Sequence, residues 1–204
     1  MNRSLFSLVI LVLPFLFVLS CAGLQRPNEV PPEAASKKIE PPIHIMGKGN
    51  IGGAKLSSFL VRNNPQAEVA YAEKLAQFYV EEAFLEGVNH DIAFAQMCLE
   101  TGFLRYGGLV QPEWNNFCGL GAIGPEQPGL TFPDPRTGVR AHIQHLKAYA
   151  TEEPLKGELV DPRYRYVRKG SSPNIEGLSG TWASDKLYSV KINDILRRLY
   201  DFSL

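Results

Sequence analysis

Between Thr101 and Arg136 the chain carries seven glycines and five prolines. That density of breakers rules out long helices over this stretch, while helical periodicity stands on both sides of it. The expected class is therefore mainly α: a helical body with a small irregular or short-stranded lobe inserted. Before the lobe, Glu68 to Leu85 reads as an amphipathic helix. Val69, Ala72, Leu75, Ala76, Tyr79, Val80, Ala83 and Phe84 recur on one face, and Gly87 stops it. Asn89-His90-Asp91 supplies N-cap candidates for a second helix, from about Asp91 to Glu100, with His90 read as a solvated loop residue. After the lobe, helical spacing returns from about Thr137 to Ala150, with Val139, Ile143, Leu146 and Ala150 on one side. A short helix is expected near Asn174 to Thr181. A last one runs roughly Leu187 to Phe202 and carries Val190, Ile195, Leu196, Leu199 and Phe202. His142 and His145, three apart, read as a pair on a helix surface, with too few companions for a metal site.

Glu100 closes the apolar helix Ala93-Phe94-Ala95-Gln96-Met97-Cys98-Leu99 and is followed by Thr101-Gly102. A carboxylate at the mouth of a buried helix is partly desolvated, which raises its pKa. An acid still protonated near neutral pH can donate to a leaving oxygen, the first requirement for cleaving a glycosidic bond.

The N-terminus reads as a targeting segment. Arg3 precedes an apolar run from Leu5 to Leu19, too short and too close to the start for a confident membrane span. The run ends Val18-Leu19-Ser20-Cys21, which resembles the lipobox of bacterial lipoproteins. That resemblance implies a signal peptide over 1–20, cleavage before Cys21 and a lipid on its sulfur. The expected location is the cell envelope, lipid-anchored and outside the cytoplasm. Ala22, in place of an Asp linked to inner-membrane retention, favours an outer membrane. Residues 21–44, with Pro27, Pro31, Pro32, Pro41 and Pro42, read as a Pro-rich tether ahead of a folded domain over 45–204. Without residues 1–20 the chain holds 20 basic and 21 acidic side chains, a net −1. That balance gives no electrostatic case for nucleic acid. With Cys21 lipidated, Cys98 and Cys118 remain, either as a disulfide or as two buried thiols. No cofactor and no metal are expected.

Residues 46–202 resemble the glucosaminidase domain of bacterial cell-wall hydrolases, the endo-β-N-acetylglucosaminidase-like family with a lysozyme-like fold. Four blocks in order carry the resemblance: Ala93-Phe94-Ala95-Gln96 with Glu100-Thr101-Gly102; Asn115 to Gly121; Gly138 to Leu146; and Gly180 to Asp185 with Tyr188 and Lys191-Ile192. The resemblance implies peptidoglycan glycan strands as substrate. It implies hydrolysis of the β-1,4 bond on the reducing side of N-acetylglucosamine, with Glu100 protonating the leaving oxygen. Asn115, Asn116 and Phe117 belong to the segment beside the family's cleft. There the asparagines either orient acetamido groups or cap turns.

Two departures stand out. Trp182 occupies a position where many members have a tyrosine considered catalytic; an indole stacks on sugar but has no hydroxyl. Tyr188, at the motif's second tyrosine, and Tyr106, shortly after Glu100, are the aromatic cleft candidates, each equally readable as core. Many members also have a distal Glu near the start of the helix after the lobe. Here Thr137 stands near that point, Asp134 is the nearest acid, and Glu113 and Glu126 lie in the lobe. Without a second carboxylate, assistance by the substrate's 2-acetamido group is the alternative. Two further readings keep the same fold: a lytic transglycosylase, and a wall-binding lipoprotein without turnover.

Overall fold

The structure is a computed structural model and describes residues 40–203. The expected signal peptide and the lipidated Cys21 lie outside the described residues. Among the described residues five helices follow one another: α1 (Gly53–Asn63), α2 (Val69–Glu86), α3 (His90–Glu100), α4 (Pro135–Ala150) and α5 (Tyr188–Ser203). Short 3₁₀ turns at Pro112–Trp114, Tyr164–Tyr166 and Ile175–Leu178 punctuate the connections. Among the described residues the only strand-like pairings are isolated bridges, such as Met46 with Val88 and Gly124 with Gln127. The lobe is thus irregular rather than stranded.

Each helix end has a local cause. Gly87, at φ +75°, caps α2 and returns its N–H to Ala83 and Phe84. The Asn89 side chain accepts from the Asp91 and Ile92 amides and starts α3. The Asp134 side chain accepts from the Thr137 amide and Pro135 occupies the first turn, which starts α4. The short helix expected near Asn174 is a 3₁₀ turn, capped by the Asn174 side chain. Helix α1 is absent from the sequence expectations. It opens on Gly52-Gly53 without a side-chain cap, and Ser57 and Ser58 fold their hydroxyls back onto the Ala54 carbonyl.

Helix α3 is the central element, with every residue from His90 to Cys98 buried. Around it pack Leu56, Phe59 and Leu60 of α1, Leu75, Ala76 and Tyr79 of α2, Val139, Ile143 and Leu146 of α4, and Ile192, Leu196 and Leu199 of α5. Burying a large aliphatic side chain contributes about 1.5–3 kcal/mol, so this ring of contacts holds the α3 C-terminus in place.

Several expected faces shift. Val69, Phe84 and Val190 are exposed. The face of α2 that meets α4 instead carries Glu82 and Glu86. The Glu82 carboxylate accepts from Arg136 and Arg140, and Glu86 accepts from Lys147 Nζ at 2.9 Å. Periodicity of apolar residues alone misses a face whose turns are finished by ion pairs. His90 is no solvated loop residue: it is the first residue of α3, buried, with Nε2 2.9 Å from the Ile51 carbonyl. His142 is no surface residue either, being fully buried on α4. Cys98 and Cys118 are free, buried thiols rather than a disulfide. The reason is packing: Cys98 sits in the main helical core, whereas Cys118 belongs to a separate small cluster with Leu120, Phe132 and Ala141 beneath the lobe.

Candidate active site

Glu100 is the last residue of α3, and the backbone turns sharply behind it. Gly102, Phe103 and Leu104 have φ of +58°, +58° and +62°, and Tyr106 follows at +56°. Left-handed conformations cost a non-glycine residue about 1–2 kcal/mol each. Specific bonds hold the turn: Phe103 N to Cys98 O at 2.8 Å, Leu104 N to Thr101 Oγ1 at 2.9 Å, and Asn64 Nδ2 to Phe103 O at 2.8 Å. The chain is thereby turned away at once, leaving the Glu100 carboxylate open to the cleft.

Both recorded donors to this carboxylate reach the same oxygen. Tyr188 OH and Trp182 Nε1, the latter at 3.2 Å, donate to Oε1. Oε2 faces the glycine loop, where a β-carbon on Gly119 would lie only 3.7 Å away. The side chain is accessible from the cleft but crowded by protein on its other sides. That loss of hydration raises its pKa above the ordinary carboxylate value, outweighing the Tyr188 and Trp182 hydrogen bonds that favour the anion. With Oε1 accepting twice, the proton of the neutral acid belongs on Oε2, the oxygen turned to the glycine loop.

Behind Tyr188 runs a buried chain of hydrogen bonds. Gln96 Nε2 donates to Tyr188 OH at 2.9 Å, and Gln96 Oε1 lies 3.1 Å from His142 Nε2. An amide oxygen only accepts, so His142 carries its proton on Nε2. His142 Nδ1 is then the acceptor for Tyr79 OH at 2.9 Å. Burial pushes the His142 pKa down to about 3, which keeps it neutral. Burial first, and the Glu100 charge second, push the Tyr188 phenol well up, which keeps it a donor. The polarity of the chain is single-valued, running from Tyr79 through His142, Gln96 and Tyr188 to Glu100.

The half-buried Trp182 indole packs against the rings of His142, His145 and Tyr149, with centroids 5.7, 5.1 and 5.5 Å away. Two recesses adjoin at Gly119 and Ala122. One, of about 170 Å³, is lined by Glu100, Tyr106, Leu109, Val110 and Gly119. The other, of about 200 Å³, is lined by Trp182, Tyr149, His145, Arg163 and Tyr166, with Gly119 common to both.

Of the residues expected from the sequence, Glu100, Tyr188, Trp182 and Tyr106 gather at this cleft. Four others have structural tasks, although Asn116 also lines the recess beside Glu100. Asn116 is buried, with Nδ2 donating to the Leu120 and Leu130 carbonyls and Oδ1 accepting from the Leu120 amide. Its polar atoms are spent folding the lobe. Asn115, at φ +51°, ends a 3₁₀ turn and donates to the Phe132 carbonyl at 3.0 Å. Phe117 is fully buried in the core. Asp134 is the α4 N-cap, its carboxylate engaged by the Thr137 amide and hydroxyl; those bonds lower its pKa. Glu113 and Glu126 are exposed. Gln96, His142, Tyr149 and Arg163 were not expected at the site. For His142 a signal existed: it stands three after Val139 and four before Leu146, on the apolar face of α4. Among the described residues, no three His, Cys, Asp or Glu side chains gather as a metal-binding group.

This helical fold with an inserted irregular lobe, and an acid at the end of its central helix, defines a lysozyme-like glycosidase domain. Residues 66–201 match the model of the mannosyl-glycoprotein endo-β-N-acetylglucosaminidase (glucosaminidase) family, and the chain belongs to that family. A protein of Borreliella burgdorferi described as uncharacterized is 40% identical over 175 residues, covering 86% of this chain and 85% of that one. Among solved structures, a catalytic mutant of S. aureus autolysin E in complex with the disaccharide NAG-NAM shares the fold. Its TM-score is 0.51 at 15% identity, over 78% of this chain and 71% of that chain.

Proposed function

We propose that this protein hydrolyses peptidoglycan glycan strands at the β-1,4 bond following N-acetylglucosamine, with Glu100 as the general acid. The observation that carries the proposal is the Glu100 carboxyl group. Its pKa is raised by crowding, Tyr188 and Trp182 both donate to Oε1, and Oε2 faces Gly119, which lines the same recess. Family membership supports the reaction class. The NAG-NAM disaccharide bound by the autolysin E mutant supports the substrate.

Glu100 Oε2–H donates its proton to the glycosidic oxygen as the C1–O bond breaks. With Asp134 occupied as a helix cap, the 2-acetamido carbonyl oxygen of the N-acetylglucosamine is the nucleophile, closing an oxazolinium ring on C1. Water then attacks C1 and gives a proton to the Glu100 carboxylate, the C1–O bond to the ring breaks, and the 2-acetamido group is restored. Tyr188 and Trp182 stabilise the Glu100 anion between the two halves of the reaction. The same acid could serve a transglycosylase, in which a substrate hydroxyl replaces water and a 1,6-anhydro-muramic end results. In the same proposal, a lipidated Cys21 and the Pro-rich segment after it tether the hydrolase to the envelope membrane.

Replacing Glu100 by Gln keeps the shape and removes the titrating proton. General acid catalysis contributes about 10²–10⁴-fold, so release of soluble fragments from purified peptidoglycan is expected to fall at least a hundredfold. Release at the wild-type rate by a folded Glu100→Gln protein would refute the assignment.

A further inference from the structure

The recess lined by Trp182, Tyr149 and Arg163 has a chemistry the hydrolytic step does not use. Arg163 and Tyr166 line it, from the segment Arg163-Tyr164-Arg165-Tyr166 that follows α4 and forms a 3₁₀ turn. Tyr166 is 62% exposed, and two guanidinium groups lie against its ring, Arg163 at 5.2 Å and Arg165 at 4.8 Å from the centroid. Arg165 also donates to the Tyr166 hydroxyl at 2.6 Å. Arg163 lines the recess together with Tyr149 and Trp182, and burial raises the Tyr149 phenol more than the nearby Arg163 cation lowers it.

Among the described residues, neither guanidinium pairs with an acid, although Glu152, Glu153 and Glu158 lie exposed in the preceding loop. The nearest acid in sequence, Asp161, is buried and committed: it bonds His145 Nδ1 at 2.7 Å and the Arg163 amide at 2.8 Å. Asp161 thus holds the loop against α4 while leaving the guanidinium uncompensated. A guanidinium stacked on an aromatic ring keeps its in-plane N–H groups free for bidentate binding of a carboxylate.

We propose that this recess is the subsite for the acidic peptide stem of the glycan. The sugar would lie along Trp182 and Tyr149, with a stem carboxylate on Arg163 and Arg165. The inference rests on the peptidoglycan reading above and deepens it: the enzyme selects strands that still carry their stems. A carboxylate held by guanidinium hydrogen bonds contributes about tenfold or more to binding.

Two measurements with the full-length chain test it. The first compares kcat/KM on peptidoglycan strands bearing stems with kcat/KM on the same strands stripped by an amidase. The wild-type ratio is expected to be about tenfold in favour of stems, to fall toward one in Arg163→Gln, and to recover in part in Arg163→Lys. A wild-type ratio of one, or an unchanged ratio in Arg163→Gln, overturns the subsite. The second titrates N-acetylmuramyl-L-alanyl-D-glutamate, and its methyl ester, by NMR. Weaker binding of the ester, with the difference lost in Arg163→Gln, supports the subsite even if no strand is cleaved; only the hydrolase reading then fails. Equal binding of acid and ester overturns the subsite whatever the activity.

Discussion

Replacing Tyr188 by Phe removes one oxygen that serves two partners, and its consequences follow from the geometry. On one side the Glu100 carboxylate loses a donor; on the other the buried Gln96 amide loses its acceptor. A hydrogen bond to a charged group contributes about 1.5–3 kcal/mol. Glu100 is open to the cleft, so water replaces part of the lost bond and the anion loses only a fraction of that stabilisation. The sign follows from the role. Tyr188 favours the anion, so its loss raises an already raised pKa. The acid must be protonated to work, so the basic limb of the kcat/KM profile moves to higher pH. The orphaned Gln96 amide costs about 1–3 kcal/mol of stability, or roughly 2–10 °C in Tm for a domain of this size. The assay is a pH–rate profile on solubilised glycan strands, with calorimetry on the same variant. A basic limb that stays in place or moves to lower pH would refute the reasoning.

Other consequences are structural. A β-carbon on Gly138 would lie 1.8 Å from the Asn115 carbonyl oxygen, so Gly138→Ala must push the lobe off α4; thermal denaturation should show a loss of about 3–5 kcal/mol, and a Tm near wild type would contradict that close approach. Lys147→Met strands the buried Glu86, which keeps only the Lys156 and Gly157 amides; urea unfolding should report a loss at the low end of about 3–5 kcal/mol. Cys98 and Cys118 are buried, and burial holds both thiols far above their usual range; a maleimide should therefore label neither in the native protein and both after unfolding without reductant, whereas labelling that needs reductant would mean a disulfide.

Much of this fold could be read from the sequence because its signals are local. The glycine and proline spacing gave the lobe, and apolar periodicity with caps located α2 through α5 within a few residues. Helix α1 escaped because it opens on two glycines and carries a serine, Ser57, on its buried side. At the site, Glu100, Tyr188 and Trp182 were accessible because motif order brings them forward, and Tyr106 because it follows Glu100 closely. Asn116 and Phe117 belong to the block from Asn115 to Gly121, which supplies both the cleft edge and its support, and sequence order does not separate the two. His142 misled for a physical reason. A histidine is read as surface unless its buried partners are known, and Gln96 and Tyr79 lie 46 and 63 residues away in the chain. The cationic recess was out of reach because its meaning lies in what fails to pair with Arg163 across space.

The central claim is that Glu100 protonates the oxygen leaving N-acetylglucosamine. The most direct measurement is mass spectrometry of borohydride-reduced fragments from purified peptidoglycan digested with the wild-type chain, beside Glu100→Gln. Fragments ending in reduced N-acetylglucosamine, present with wild type and absent with the variant, are the predicted result. Anhydro-muramic ends, or no Glu100-dependent fragments from a folded protein, would contradict it.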